Sequence, residues 1–313
     1  MKEKKYIYQV NYPVYEETLC AIETRTLFSE YIEGKVFFSK IGVMPSVSPY
    51  IRKRIEILFE SSSFDELLQH VQGDESVVKD FVLKYTKLSD EDPKAQERLE
   101  ICKAVGSLFK EYPNFKSPQN IFAITFYEGI WYFGLLVKND PGWKEHNKRP
   151  HTYSNSLKSN MAKVLVNIAG RGDMSKRLID PCCGAGTVLL EACYAGYQIS
   201  GSDSNYKMSQ SAKGNLAHFG YEADIKKCAI EEIKNHYDSA IVDLPYGLYS
   251  KTSVEAQERI IINAMRISDR VVVVSSEDIS ELLERISFNL VDSCKIIKTV
   301  NRGFTRYIWV HDL

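Results

Sequence analysis

The feature that most constrains the fold of this 313-residue chain is a regular alternation of short apolar strands with amphipathic helices from residue 177 onward. Strands are expected at 177–180, 198–203, 224–228, 239–244 and 270–275, and helices at 186–194, 206–219, 255–267 and 279–286. Such alternation predicts an α/β fold: a mostly parallel sheet covered by helices on both faces. Two last strands, 290–299 and 304–311, joined at Asn301-Arg302-Gly303, predict a hairpin at its end and make the sheet seven-stranded. Ligands of such sheets sit beyond the carboxyl ends of the strands, so residues that end strands are the first candidates for chemistry.

The preceding residues read less regularly. Strands are expected at 6–10 and 36–41, and helical apolar spacing marks 15–28 and 50–59. Ser63 is placed to cap a short helix, and a new unit begins near Gly73. It holds a strand at 81–85, a helix at 95–110, and strands at 121–127 and 131–137 around the turn Glu128-Gly129. Asn139-Asp140-Pro141-Gly142 punctuates its end, and a helix at 156–169 with the turn Arg171-Gly172-Asp173 leads into the alternating region. The organisation expected is a ferredoxin-like α/β region over 1–72, a small α/β module over 73–140, a linker over 141–155 and the Rossmann-like domain over 156–313.

Composition narrows the setting. No apolar run is long enough to span a membrane, and residues 1–19 lack the apolar core of a secretory signal. The seven cysteines form no C-x-x-C pair, and Cys182 and Cys183 are adjacent, so reduced thiols in a cytoplasmic protein are expected. No His/Cys/Asp spacing marks a metal site. Residues 1–155 hold 21 Lys and Arg against 22 Asp and Glu, so neither half carries the basic excess common in nucleic-acid binders. Local clusters remain, at Arg52-Lys53-Arg54 and between Lys144 and Lys163, where a solvated face is the plain reading.

Asp180-Pro181-Cys182-Cys183-Gly184-Ala185-Gly186-Thr187 follows a strand and opens a helix. Glycines there let the backbone turn tightly and approach a ligand closely, and the helix beyond offers unpaired amides. Asp203 ends the next strand, where a carboxylate can accept hydrogen bonds from a ribose. A dinucleotide fingerprint would place Gly or Ala where this chain has Leu189. The segment instead resembles the glycine-rich motif of class I methyltransferases, which implies S-adenosylmethionine as cofactor. In that family the first acid faces the methionine end, the glycines pass beneath the cofactor and the second acid holds the ribose. The candidates for cofactor binding are therefore Asp180, Cys182, Gly184, Gly186, Thr187, Asp203 and Ser204. The polar residue that often follows the third strand, near the adenine, is replaced here by Cys228-Ala229, with Glu231 and Glu232 following.

Asp243-Leu244-Pro245-Tyr246 ends the fourth strand and resembles the (Asn/Asp)-Pro-Pro-Tyr motif of methyltransferases that modify exocyclic base amines. An aromatic amine has its lone pair delocalised into the ring and attacks a methyl sulfonium poorly. A carboxylate and a backbone carbonyl accepting its two N–H groups would localise and aim that lone pair, and Tyr246 would stack on the base. Leu244 stands where proline is usual; the carbonyl survives, while the rigidity proline gives the loop is expected to be lost. Arg306, Tyr307 and His151 are expected to serve packing or the surface, and Trp131, Tyr132 and Phe133 the core.

Residues 81–137, Arg149-Pro150-His151 and the helix at 156–169 look like parts of a THUMP-containing RNA methyltransferase, which carries the resemblance over nearly the whole chain. The closest fit is the tRNA guanine-N2 methyltransferases that act on guanosine 10. The resemblance implies an RNA partner, tRNA, held by a THUMP-like RNA-binding module over 73–140, and a role in tRNA processing. Two rivals follow from the same residues. A DNA amino-methyltransferase would share the motif chemistry, and an RNA-binding protein with a decayed catalytic half would retain the fold.

Overall fold

The computed structural model describes residues 3–72, 80–153, 156–245, 253–299 and 303–313. They form two compact units, one of Met1–Asn11, Glu33–Ser46 and Tyr50–Asp140, the other of Tyr12–Ile32, Val47–Pro49 and Pro141–Leu313. The expected start of a unit at Gly73 and the turn residues Asn301 and Arg302 lie outside the described residues.

The first unit is a six-stranded sheet built from β1 (Tyr6–Val10), β2 (Val36–Ser39), β3 (Ile51–Ser61), β4 (Phe81–Tyr85), β5 (Asn120–Tyr127) and β6 (Ile130–Lys138). Its order is β2-β1-β3-β6-β5-β4. All neighbours are antiparallel except β4 and β5. Of the segment 50–59, expected as a helix, residues 51–59 belong to β3. Ile51 and Ile55 are both buried, and their four-residue interval fits one face of a strand as well as it fits a helix. The β-branched Ile51, Ile55 and Ile57 favour the extended form, and β1 and β6 pair on either side. Because β3 pairs with β6, one sheet runs across the division expected between residues 72 and 73. Helices α2 (Phe64–Gln72) and α3 (Ala95–Gly106) cover one face, burying Leu67, Val71 and Val105 against Phe81, Phe122, Ile124 and Phe133.

The second unit includes α1 (Glu17–Phe28), which packs on α4 (Ser159–Gly170) and on β12 (Leu290–Lys298). Its sheet contains β7 (Arg177–Asp180), β8 (Gln198–Asp203), β9 (Asp224–Lys227), β10 (Tyr237–Asp243), β11 (Ser268–Ser275), β12 and β13 (Phe304–Asp312), in the order β12-β13-β11-β10-β7-β8-β9. Strands β7 to β11 run parallel, and β13 is antiparallel to β11 and β12. This is the seven-stranded α/β sheet with a terminal hairpin that the sequence predicts. Helices α5 (Thr187–Ala195), α6 (Tyr206–His218), α7 (Val254–Ile267) and α8 (Ser280–Arg285) complete the layers.

Val271 to Val274 are all buried, as strands covered on both faces require, and each such side chain contributes about 1.5–3 kcal/mol by leaving water. Ala240, Val242, Leu244, Val271, Val273 and Trp309 share the core on the α7 side. Ile241, Asp243, Val272 and Val274 alternate to the opposite face, where α4 packs. Strand order reverses between β7 and β10, which opens a crevice at their carboxyl ends.

Part of the basic stretch read as a solvated face is interior. Lys163 and Arg149 are buried, and the Lys163 ammonium lies 4.7 Å from the centre of the Tyr194 ring. Glu191 and Glu23 attract it from two sides. Glu191 also meets His146 at 2.8 Å, and Glu23 accepts hydrogen bonds from Ser48 and Asn167. Burial lowers the Lys163 ammonium and raises the Glu191 and Glu23 carboxyls, and the attraction between lysine and acids opposes that loss of charge. Among the described residues no helix is long and apolar enough to cross a membrane.

Candidate active site

Three carboxylates end three strands at the crevice: Asp180 on β7, Asp203 on β8 and Asp243 on β10. The chain between β7 and α5 is tied down by its own backbone. Cys182 N–H donates to Asp180 Oδ1 at 3.1 Å, Cys183 N–H to Ser202 O at 2.9 Å and Gly186 N–H to Cys183 O at 2.7 Å. Gly184 N–H donates to Asp203 Oδ2 at 2.9 Å, and Asn205 N–H to Asp203 Oδ1 at 2.8 Å. Each Asp203 oxygen keeps a lone pair for a further donor, as two ribose hydroxyls would need.

The two glycines of the turn have different tasks. Both have positive φ, +52° at Gly184 and +81° at Gly186, which an L side chain rarely adopts. A Cβ on Gly186 would meet Ala212 Cβ at 3.0 Å, so this glycine lets α6 close on the turn. A Cβ on Gly184 would meet nothing within 4 Å, so open space lies above it. The close helix-to-strand approach that a third glycine provides in dinucleotide folds comes here from the strand side. A Cβ on Gly201 would lie 2.7 Å from Leu189 Cδ1.

The electrostatics of this edge select among nucleoside cofactors. Burial pushes the Asp180 carboxyl well above the usual carboxylate range, and the negative charges of Asp243 and Asp203 push it further. Burial raises Asp243 to about 7, opposed by Arg306, whose Nη1 lies 3.7 Å from Asp243 Oδ1. With Asp180 shifted toward its neutral form, Asp203 and Asp243 beside one guanidinium still disfavour a pyrophosphate, and a cationic ligand would draw Asp180 back toward its charged form. The methionine end of S-adenosylmethionine carries a sulfonium and an ammonium, so it fits this acid-lined crevice over the open space at Gly184. Burial and the same carboxylates raise the Cys182 and Cys183 thiols, which therefore stay neutral at physiological pH and offer no nucleophile.

The other candidates fall as follows. Thr187 opens α5 with its side chain buried, while Ser204 is exposed just after Asp203. Cys228 is half-buried against the α7-side core. Ala229 N–H is held by Glu232 at 2.8 Å, and Glu231 pairs with Arg259 at 2.9 Å, so both acids after β9 are engaged within the protein. Leu244 is buried in the core, and its N–H donates to Val274 O at 3.0 Å, extending the pairing of β10 with β11 by one residue. The loss of rigidity expected from the missing proline is thus offset by a hydrogen bond that proline could not make. Pro245 follows, half-buried; Tyr246 lies outside the described residues.

Sequence reasoning did not bring Arg306 to the site, where its Nη1 faces Asp243 Oδ1 at 3.7 Å. On β13, Arg306, Ile308 and Val310 share a face, and an arginine on an otherwise apolar stripe at the start of a strand was the available signal. Asn215 was missed as well. It accepts from His151 N–H and donates to His151 O and Ala185 O, fastening residue 151 to the glycine turn.

Residues 146–291 match the family model described as RMKL-like, methyltransferase domain. A tRNA (guanine(10)-N2)-dimethyltransferase of Methanothermobacter thermautotrophicus is 24% identical over 265 residues, 75% of this chain and 76% of that protein. One of the same name from Methanocaldococcus jannaschii is 26% identical over 203 residues, 58% of this chain and 57% of that protein. Among solved structures, TrmN from Thermus thermophilus is 15% identical with a TM-score of 0.49, covering 99% of this chain and all of that one. The resemblance to the RNA N2-guanine methyltransferases is borne out by the relatives. Residues 146–291 are thus similar to a methyltransferase domain.

Proposed function

We propose that this S-adenosylmethionine-dependent methyltransferase acts on an exocyclic base amine of RNA, guanine N2 of a tRNA, with the target base drawn out of its stack to reach Asp243. The observation that carries the reading is Asp243 itself. It is a largely buried carboxylate at the carboxyl end of β10, and its Oδ1 has no hydrogen-bond partner among the described residues. A buried acceptor left open in this way is suited to an N–H of an incoming amine. The identity of the base is supported by the relatives, whose names specify guanine N2 of tRNA.

Bound S-adenosylmethionine supplies a methyl group on a positively charged sulfur. Asp203, with Ser204 beside it, would hold the ribose hydroxyls, Asp180 would face the methionine end, and the turn through Cys182, Gly184, Gly186 and Thr187 would lie beneath the cofactor. Asp243 accepts one amine N–H and the carbonyl of residue 244 the other, localising the nitrogen lone pair toward the methyl. The cofactor would supply the methyl group and keep the C–S electron pair, and the Asp243 carboxylate would take the amine proton and pass it to water. Pro245 and Tyr246 complete the motif, and the role proposed for Tyr246 is stacking on the base. The six-stranded unit, to which residues 80–140 belong, holds the RNA as a THUMP-like module.

Replacing Asp243 with alanine removes an acceptor that strengthens as charge develops on the amine. Transfer to RNA should fall by about 100-fold or more while cofactor binding persists. Full turnover by D243A, or transfer to duplex DNA in preference to RNA, would refute the reading.

A further inference from the structure

We propose that Arg306 is a positioning residue for the reaction, holding the Asp243 carboxylate charged and aimed at the acceptor amine. This rests on the role given to Asp243 above. Strand β13 is antiparallel to β11, so its first residues lie at the same edge of the sheet as the carboxyl ends of β10 and β11. Asp243 is level with Val274 on β11, and Val274 is level with Ile308 on β13. Arg306 is one pleat beyond Ile308 on the same face, at the crevice. Two strand spacings, roughly 10 Å, separate the backbones of β10 and β13. The long arginine side chain spans β11 to bring Nη1 within 3.7 Å of Asp243 Oδ1, with only 15% of the arginine side chain and 20% of the aspartate exposed.

The groups around Asp243 leave this task to Arg306. On β7 the neighbouring titratable group is Asp180, an acid, and Asp203 beyond it on β8 is another. The turn after β7 brings the Cys182 thiol, which the carboxylates keep neutral. Strand β11 presents Val274 and Ser275, neither of which titrates. Among the described residues Arg306 is the cation that acts on Asp243. A protonated Asp243 would present a donor to the amine instead of an acceptor, and the lone pair would lose its alignment. The guanidinium opposes the effect of burial, so that the carboxylate reaches its accepting form as pH rises through neutrality instead of well above it. Burial still leaves that carboxylate basic enough to take the departing proton.

The test uses the full chain and the variants R306Q and R306K. Asp243 is followed without ligand by carboxyl-carbon NMR, its resonance identified by its loss in D243N. Removing an opposite charge at this range should raise the Asp243 midpoint by about one to three pH units in R306Q, with R306K largely restoring it. The acid limb of methyl transfer to tRNA should move upward by the same interval, with the R306Q rate recovering at high pH and cofactor affinity unchanged. An unmoved midpoint in R306Q overturns the proposal. So does a moved midpoint with a rate loss that is the same at every pH. Loss of transfer in D243A with an unmoved R306Q titration overturns the role of Arg306 alone. Full transfer by D243A overturns that role together with the role of Asp243.

Discussion

Restoring the proline that related motifs carry at position 244 should weaken this protein. The Leu244 N–H is bonded to Val274 O at 3.0 Å, and both residues are buried. L244P deletes the donor and leaves a buried carbonyl without its partner, which costs about 1–3 kcal/mol. The smaller proline ring also gives up roughly a methylene of packing against the α7-side core, about 0.8 kcal/mol. The sum, about 2–4 kcal/mol, corresponds to a fall of about 4–16 °C in the melting temperature of a unit this size. L244M keeps both the N–H and the volume and should lose less than about 1.5 kcal/mol. Differential scanning calorimetry of the full chain reads both variants, and hydrogen exchange of peptides covering β10 and β11 localises the change. An L244P protein as stable as the parent, or more stable, would show that the hydrogen bond and the burial of residue 244 do not hold this edge of the site.

Other consequences are local. D203A should weaken binding of S-adenosylhomocysteine about 10- to 150-fold, the size of one hydrogen bond to a charged group, as read by titration calorimetry; unchanged affinity would remove Asp203 from the ribose site. The two glycines of the turn should separate: G184A projects into the open space and weakens cofactor binding, whereas G186A, facing Ala212, lowers the melting temperature more. Burial raises the folded-state midpoint of Asp243 to about 7, above its ordinary value near 4. The folded state therefore binds the proton more tightly, and the contribution of Asp243 to stability is full below about pH 4 and lost as pH rises through 7. D243N should accordingly be more stable than the parent at pH 8, an advantage that shrinks toward pH 4 in urea titrations.

The second unit was legible because its signals are local and repeat. The periodicity of each strand and helix agrees with its burial, and Asp180, Asp203 and Asp243 emerge at strand ends as the alternation requires. The first unit was less so. Ile51 and Ile55 satisfy helical and strand spacing equally, and only the pairing of β3 with β1 and β6, distant in sequence, decides between them. Helix α1 is read correctly as a helix, but its place against α4 depends on buried partners such as Glu23 with Asn167, 144 residues away. Lys163 shows the same limit. A lysine on an amphipathic helix reads as a surface residue until Glu191 and Glu23 are brought around it. Arg306 escaped because its role depends on an antiparallel register that only the assembled sheet reveals.

The measurement closest to the central claim is transfer of labelled methyl from S-adenosylmethionine to total RNA taken from cells lacking this gene, followed by nucleoside analysis of each RNA fraction. The account predicts label in N2-methylguanosine of tRNA, lost in D243A. Folded protein that binds the cofactor yet leaves tRNA unlabelled would contradict it, as would label confined to another nucleoside or to DNA.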